Sequence, residues 1–265
     1  NLETHLGVPL FQRLTRRIIL TQAGAQFHLV VTRLMGELTR ETEQLRNQAI
    51  SARLRISTSV SFASKWLAPR LHRLKLLHPD FDVHLDVTDA NVDLDEDQVD
   101  AAIRYGGGRY PRTTSERILN ENVNPVCSPA YLRAVGGLAT PLELARCVLL
   151  HEDRMLANWQ KWLSLARVKG VQANGGHAYS HGSMAIEAAI RGEGIVLGRS
   201  ALVADDITAG RLVAPFPQIQ LKAERGYDLV YRQGNQLHPK VMALRDWLTA
   251  EIEQCDFASP PDTSC

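Results

Sequence analysis

From Thr21 to about Ile50 the apolar positions Phe27, Val31, Leu34, Leu38 and Leu45 recur at steps of four, three, four and seven, and Arg33, Glu37, Arg40, Glu41, Glu43 and Arg46 lie around them. This spacing predicts a long helix with one narrow apolar seam, opened by Thr21 as N-cap. A seam repeating every 3.5 residues calls for a second helix, so dimerisation through Phe27, Val31, Leu34, Leu38 and Leu45 is the favoured reading. Packing of the seam on the chain's own body is the alternative.

After Ser51 the pattern changes to alternating strands and helices. "RLRIST" (53–58), "VHLDV" (83–87) and "AAIRYG" (101–106) read as strands, and Ser64 to His78 carries Trp66, Leu67, Leu71, Leu74 and Leu77 on one helical face before Pro79. This is βαβ grammar, for which a mostly parallel sheet is expected. A second α/β block begins near "NPVCSPAYL" (124–132). It includes "CVLLHE", a helix around Trp159 and Trp162, "GHAYS", an Ala-rich helix from Ser183 to Arg191, and "GIVLGRS". "YDLVYR" (227–232) and a helix from Pro239 to Glu253 are too little to form a domain, so they are assigned to the first block. The chain is therefore expected to cross between two lobes twice. Lobe I takes about 51–125 and 226–254, lobe II about 126–225, and 255–265, which lacks periodicity, is expected to be disordered.

Composition changes this picture little: 265 residues, 45% hydrophobic and 22% charged, describe an ordinary globular chain and exclude collagen-like or disordered classes. The net charge of +1 conceals an asymmetry, because Phe11 to Met35 holds Arg13, Arg16, Arg17 and Arg33 and no acid. Cys127, Cys147, Cys255 and Cys265 lie far apart without metal-ligand spacing, so reduced thiols, no metal, no cofactor and a cytoplasmic location are expected. No run approaches the roughly 18 apolar residues of a membrane span and no leader pattern is seen, so no membrane association is expected.

The opening stretch carries different chemistry. Leu2, Leu6, Val8, Leu10 and Phe11 are placed to pack under a small helical domain, with Gly7 ending a helix. "FQRLTRRIILT" offers short strands around a basic turn at Thr15, Arg16 and Arg17, suited to a phosphate backbone, although most such runs are only solvated surface. The whole string resembles the LysR-type transcriptional regulators. The likeness runs through Leu2 and Glu3, Leu6 and Gly7, then Leu10, Phe11 and Arg13, then a basic wing, and then Leu20, Thr21, Gln22, Ala23 and Gly24 as a Leu-Thr-x-Ala-Gly motif. The resemblance implies residues 1–19 as the remnant of a winged helix-turn-helix, 20–50 as a linker and dimerisation helix, and 51–254 as an effector-binding domain. The implied fold is α/β, two-lobed and of the periplasmic-binding-protein type II kind. Arg13, Arg16 and Arg17 are the DNA-contact candidates, while the base-reading residues fall in the part of the head absent from this sequence. On this reading the partners are double-stranded DNA for the full-length protein, a small-molecule effector, and further copies of the chain in a homodimer or homotetramer.

A ligand of such a fold is expected where strand ends converge beside helix N-termini. "RLRIST" leads into Ser59, Ser61 and Ser64, and "HAYSHGS" places Ser180, His181, Gly182 and Ser183 at the start of the Ala-rich helix. Two such helix ends favour a small anion or carboxylate. The serines serve equally well as plain caps. Arg104 and Tyr105 end a strand before Gly106, Gly107 and Gly108; Arg104 either clasps a carboxylate or pairs with an internal acid such as Asp100. In the resembling family the loop after the first strand and the turn before the second-lobe helix line the cleft, which favours Ser59, Ser61, Phe62, Ser180 and His181. The "IRYGGG" wording is similar to the branch of regulators of glycine cleavage and beta-lactamase expression. "HED" (151–153) lacks the second histidine of HExxH and reads as a strand end, although His151 and Glu152 are placed to border the cleft. With no GxSxG elbow or metal constellation, no enzyme is expected. A solute-binding receptor without DNA binding is the alternative to a regulator.

Overall fold

The computed structural model describes residues 2–14, 17–48, 53–90, 92–94, 96–155 and 157–255. Arg16 and the tail beyond 255 lie outside the described residues, as do the side chains of Arg13, Arg17 and Leu45. The chain divides into two compact units, Asn1–Ala52 and Arg53–Cys265.

In the first unit α1 (Leu2–Leu6) ends at Gly7, whose φ of 67° is left-handed, and an antiparallel hairpin follows from β1 (Phe11–Leu14) and β2 (Arg17–Leu20). Arg17 sits in β2 opposite Leu14, so the strand takes it in rather than leaving it at the turn. Glu3 closes the α1 end by accepting hydrogen bonds through Oε1 from the Leu10 and Phe11 N–H groups at 2.7 and 3.0 Å. Of the apolar residues expected under a helical domain only Leu10 is buried; Leu2, Leu6, Val8 and Phe11 are exposed.

Helix α2 (Gln22–Gln48) begins as its sequence predicts. Thr21 Oγ accepts from the Gly24 N–H at 3.0 Å and donates to the Pro9 carbonyl at 2.8 Å, while the Thr21 N–H donates to the Leu10 carbonyl at 3.0 Å. This draws the first helical turn onto the Leu10 backbone, where a Cβ on Gly24 would stand 2.0 Å from the Leu10 oxygen. The Leu-Thr-x-Ala-Gly motif is thus a steric device, with Thr as cap and Gly as the only residue that fits the crossing. Beyond it Val31, Leu34 and Leu38 are exposed and Phe27 is half-buried.

The second unit is one eight-stranded sheet in the order β4-β3-β5-β10-β6-β9-β7-β8. Its first half holds β3 (Arg53–Thr58), a helical run, β4 (Asp82–Val87) and β5 (Ala101–Gly106). The helical run passes through α3 (Val60–Phe62), a π turn, a 3-10 turn at Ala68–Arg70 and α4 (Leu71–Leu77). Then β6 (Thr113–Val126) leads to α5 (Pro129–Ala134), β7 (Leu149–Glu152), α6 (Ala157–Leu165), β8 (Ala178–Tyr179), α7 (Gly182–Ile190), β9 (Ile195–Arg199) and α8 (Ser200–Thr208). Finally β10 (Leu221–Arg232) and α9 (Pro239–Glu253) return to the first half.

The first half is parallel through β4, β3 and β5, as its βαβ pattern predicts, while the sheet as a whole is mixed. β3 is parallel to β4 and β5, and β7 is parallel to β8 and β9. The central pairings β5 to β10, β10 to β6 and β6 to β9 are antiparallel. They arise because β6 and β10 are long connecting strands that run out of one half and into the other. The register between them shifts between Lys222 and Gly226, a bulge that adds twist where the halves join.

The main core joins Leu54, Ile56, Phe62, Trp66, Tyr227 and Trp247 with Ala185 and Ile186 of α7. A second cluster, including Leu144, Trp159, Trp162 and Phe216, covers one face of lobe II. Arg70 fastens three helical segments from a buried position. It donates to both Asp205 carboxylate oxygens on α8 at 2.8 and 2.6 Å, approaches Glu251 on α9 at 3.9 Å, and lies over the Trp66 ring at 4.8 Å.

Two stability predictions follow from this packing. Gly24→Ala forces the α2 crossing off Leu10 and costs about 2 kcal/mol, seen as faster amide exchange at Thr21 and Gly24 while the second unit is unaffected. Arg70→Ala removes the paired hydrogen bonds to Asp205 and the contact over Trp66 while Arg73 keeps Glu251 at 2.8 Å, and lowers the urea-unfolding free energy of the second unit by about 1–2 kcal/mol.

Candidate functional site

Side chains that follow the carboxyl ends of β3, β5, β7 and β9 meet around the start of α7. Ser59 is the extended residue before α3, with φ −70° and ψ 152°, and makes no side-chain cap. Ser61 is buried in the first turn, and its Oγ accepts a hydrogen bond from the Ser183 N–H of α7 at 3.0 Å, with the two hydroxyl oxygens 3.5 Å apart. A lobe I serine thus caps the lobe II helix, whose own preceding residue His181 supplies no side-chain cap. Beside this contact His181 Nδ1 lies 3.0 Å from Asp89 Oδ2, and Asp89 Oδ1 accepts from the Val60 N–H at 3.3 Å. Asp89 follows β4, so the cleft mouth is spanned by two polar links.

Behind the mouth lies a buried charge cluster. Arg199, 6% exposed at the end of β9, donates through Nη2 to both Glu152 oxygens at 3.2 and 3.1 Å and lies over the Tyr105 ring at 4.6 Å. Its guanidinium is held charged well above the usual range: burial opposes this, but Tyr227, Glu152, Tyr105 and Glu121 outweigh it. Gly182 fits closely against the pair, since a Cβ there would stand 2.6 Å from Glu152 Oε2 and 3.0 Å from Arg199 Nη2. Glycine at the first position of α7 lets the helix end touch the cluster. Deeper still, Glu121 on β6 accepts through Oε2 from the Ser200 hydroxyl at 2.5 Å and the Ala201 N–H at 3.2 Å, so it caps α8 from a distant strand. Burial raises its pKa above the ordinary carboxylate value, and burial likewise raises the hydroxyls of Tyr105 and Tyr227.

The residues expected from sequence divide into two groups. Ser61, Tyr105, His181 and Gly182 come together around the start of α7, with Ser59 two residues before Ser61. Phe62 is core, stacked between Trp66 and Tyr227 with ring centroids at 5.0 and 4.2 Å. Ser64 turns back, donating to the Val60 and Ser61 carbonyls, and Ser180 is exposed with its hydroxyl 3.9 Å from Met184 Sδ. Arg104 pairs with neither a ligand-facing acid nor Asp100. It is buried and donates to Ser57 Oγ at 2.7 Å and the Thr88 carbonyl at 3.0 Å, which braces the ends of β3 and β4. Asp100 belongs instead to Lys240, at 3.3 Å. Gly106 presents its carbonyl to Arg117, itself held by buried Asp228 together with Tyr110. His151 is buried with Nε2 against the Gly175 carbonyl at 2.8 Å, so it secures a loop.

Sequence reasoning missed Asp89, Glu121, Arg199 and Tyr227. Arg199 was within reach as the charged residue that ends an apolar strand before a helix. Glu121 alternates with Leu119 and Val123, both buried, and an acid on the apolar face of a strand marks a special position. Among the described residues no cluster of His, Cys, Asp or Glu could hold a metal ion, and no helix is long and apolar enough to cross a membrane.

Comparison with known proteins agrees with this architecture. Residues 47–253 match the family described as LysR substrate binding domain. The glycine cleavage system transcriptional activator of Escherichia coli K12 is 34% identical over 251 residues, covering 95% of this chain and 82% of that protein. The HTH-type transcriptional activator AmpR of Citrobacter koseri is 27% identical over 247 residues, 93% of this chain and 84% of that one. The AmpR effector binding domain from Citrobacter freundii shares the fold, with a TM-score of 0.65 at 24% identity over 76% of this chain and 98% of that chain. CrgA, a LysR-type transcriptional regulator from Neisseria meningitidis, gives a TM-score of 0.65 at 25% identity over 95% of this chain and 86% of that chain. With a two-lobed α/β body, a Thr-capped helix before it and these relatives, the chain belongs to the family of LysR-type transcriptional regulators.

Proposed function

We propose that this chain is the sensing and linking part of a DNA-binding transcriptional regulator that responds to a small molecule held between the two lobes. The observation that carries the reading is the Ser61 cap on α7, a direct polar link from one lobe to the first turn of the other lobe's helix, set where strand ends converge. Such a link is weak enough to be exchanged for a ligand and is placed so that the exchange alters how the lobes meet. The ligand then acts only in so far as it favours one arrangement over the other. Ser59, Ser61, His181 and Gly182 line its entrance, with Asp89, Glu152, Arg199 and Tyr105 behind them. The relatives are named as transcriptional regulators or activators, which favours a regulator over an enzyme or a transport receptor and is in keeping with a cytoplasmic location.

In this scheme residues 1–19 are the wing end of the DNA-binding head, 20–50 the linker helix and 51–254 the effector domain. Arg13, Arg16 and Arg17, at and beside the hairpin turn, meet the DNA backbone of the full-length protein, where they add affinity with little sequence choice. The exposed seam of Val31, Leu34 and Leu38, continued by Phe27 and Leu45, pairs two linker helices in a homodimer, with a tetramer as the higher assembly.

Two measurements test the scheme. A thermal-shift and calorimetric screen of small metabolites yields ligands whose Kd falls about tenfold in Ser61→Ala, because the Ser183 N–H is then no longer held by Ser61; equal binding by both proteins removes Ser61 from the site. Leu34→Glu combined with Leu38→Glu places unpaired charge in the seam and weakens self-association at least about 100-fold in sedimentation equilibrium. Unchanged association rules out the seam as the interface.

A further inference from the structure

The helical run that follows β3 is irregular, and the irregularity has a cause in the sequence. Pro69 has no N–H to give the Lys65 carbonyl, and in a regular α-helix its ring would strike that carbonyl. The run widens instead. Ala63–Leu67 forms a π turn, closed by the Ala68 N–H donating to the Ala63 carbonyl, and the chain then tightens to 3-10 at Ala68–Arg70. This changes which side chains share a face. At about 100° per residue a regular helix would set Lys65 and Arg70 about 140° apart, whereas a turn closed five residues on brings them toward one side. Arg70 completes the alignment by reaching back, with Nη1 donating to the Trp66 carbonyl at 3.0 Å.

Two adjacent acids of α8 meet that side. Lys65 Nζ lies 2.9 Å from Asp206 Oδ2, and Arg70 donates to both oxygens of Asp205 at 2.8 and 2.6 Å. The Ser61–Ser183 link lies one turn before Lys65. One run of lobe I therefore grips lobe II at three successive points, two of them through full charges. The charged points are releasable, because each group has a second partner on its own side or access to water. Asp206, 5% exposed, is also held by Arg211 at 2.6 Å, and Asp205 is 44% exposed. Arg70 keeps the Trp66 ring at 4.8 Å and Glu251 at 3.9 Å. Lys65 borders a groove of about 530 Å³ shared with Ser64, Ser183, Met184 and Glu187, which admits water to its ammonium. Parting the pairs strands no buried ion, and it is a stranded ion that makes the breaking of a buried pair costly.

We propose that Lys65–Asp206 and Arg70–Asp205 form an interlobe strap, aligned by the Pro69 turn, that joins when the lobes come together and parts when they separate. The strap sets the resting angle of the lobes before any ligand arrives. It rests on the reading of the lobes as a movable pair and places a control on that movement outside the cleft. Because the strap is electrostatic and partly wetted, added salt weakens it, and the resting angle follows ionic strength.

The test uses the 265-residue chain and hydrogen exchange read by mass spectrometry. Helix α7 and the run Ala63–Leu67 report the lobe contact, and strands β3 and β9 report folding. Raising sodium chloride from about 0.02 to about 0.5 M is expected to quicken exchange of both reporters about threefold and to leave β3 and β9 unchanged. Asp205→Asn combined with Asp206→Asn removes both charges at nearly constant shape. Its reporters are expected to exchange about threefold faster at low salt and to lose the salt response, which a role in packing alone would not produce. Lys65→Met stands as the second variant if the paired change unfolds, as judged by near-UV circular dichroism. Pro69→Ala alters no charge, yet it is expected to lose most of the salt response at α7 because Arg70 turns away from α8. Salt-independent exchange in the unaltered chain, or a full salt response kept in the strap variants or in Pro69→Ala, overturns the proposal. If the strap variants leave both reporters unchanged while Ser61→Ala quickens the run, the strap falls and the lobes still move. If no variant changes either reporter, the movable-lobe reading falls with it.

Discussion

The second unit depends on the antiparallel pairing of β6 and β10. The remaining strands belong to one half or the other, and these two long strands carry the backbone ladder continuously from β5 through to β9. A joint of this kind is stiff along the hydrogen bonds and compliant in twist, and the bulge between Lys222 and Gly226 concentrates that compliance where the halves meet. A two-lobed sensor needs this combination, because the lobes must hold their own packing while their mutual angle responds to a few contacts at the cleft.

Those contacts are arranged by charge. Glu121 and Tyr227 lie buried on the joining strands β6 and β10. Glu121 also holds the start of α8 through Ser200 and Ala201, so a joining strand caps a lobe II helix. At the mouth, the α7 end is held by a serine from the other lobe rather than by a local cap. In both places a helix that would ordinarily be capped from its own flank is capped from far along the chain, so the two lobes share their polar satisfaction and any ligand must compete for it.

The family's sequence signature gains a mechanical meaning from the first unit. Thr21 and Gly24 fix the angle at which α2 leaves the hairpin, one by capping and the other by lacking a Cβ against Leu10. Around α1 only Leu10 is buried, while Leu2, Leu6, Val8 and Phe11 are exposed.

Local pattern was enough for the elements whose reasons are local. The spacing of Phe27, Val31, Leu34 and Leu38 marked α2, the boundaries of "RLRIST" and "AAIRYG" matched β3 and β5, and Pro239 to Glu253 marked α9, because period and end signals lie within each segment. What needed the tertiary structure were features whose cause is far away in sequence. Strand β6 reads as polar until its alternate residues are placed against β10 and β9. Helix α8 lacks a local side-chain cap because Glu121 supplies one from 79 residues away. Arg104 read in sequence as either a ligand clamp or an internally paired residue, and the fold holds it as a brace on Ser57 and Thr88, while the buried Arg199–Glu152 pair and Glu121 had no sequence signal that placed them together. The sequence by itself determined which segments are helix or strand, because capping and periodicity act over a few residues. Only the folded chain decided which charges are satisfied and which are left for a partner, because that depends on desolvation and on neighbours that the chain order does not reveal.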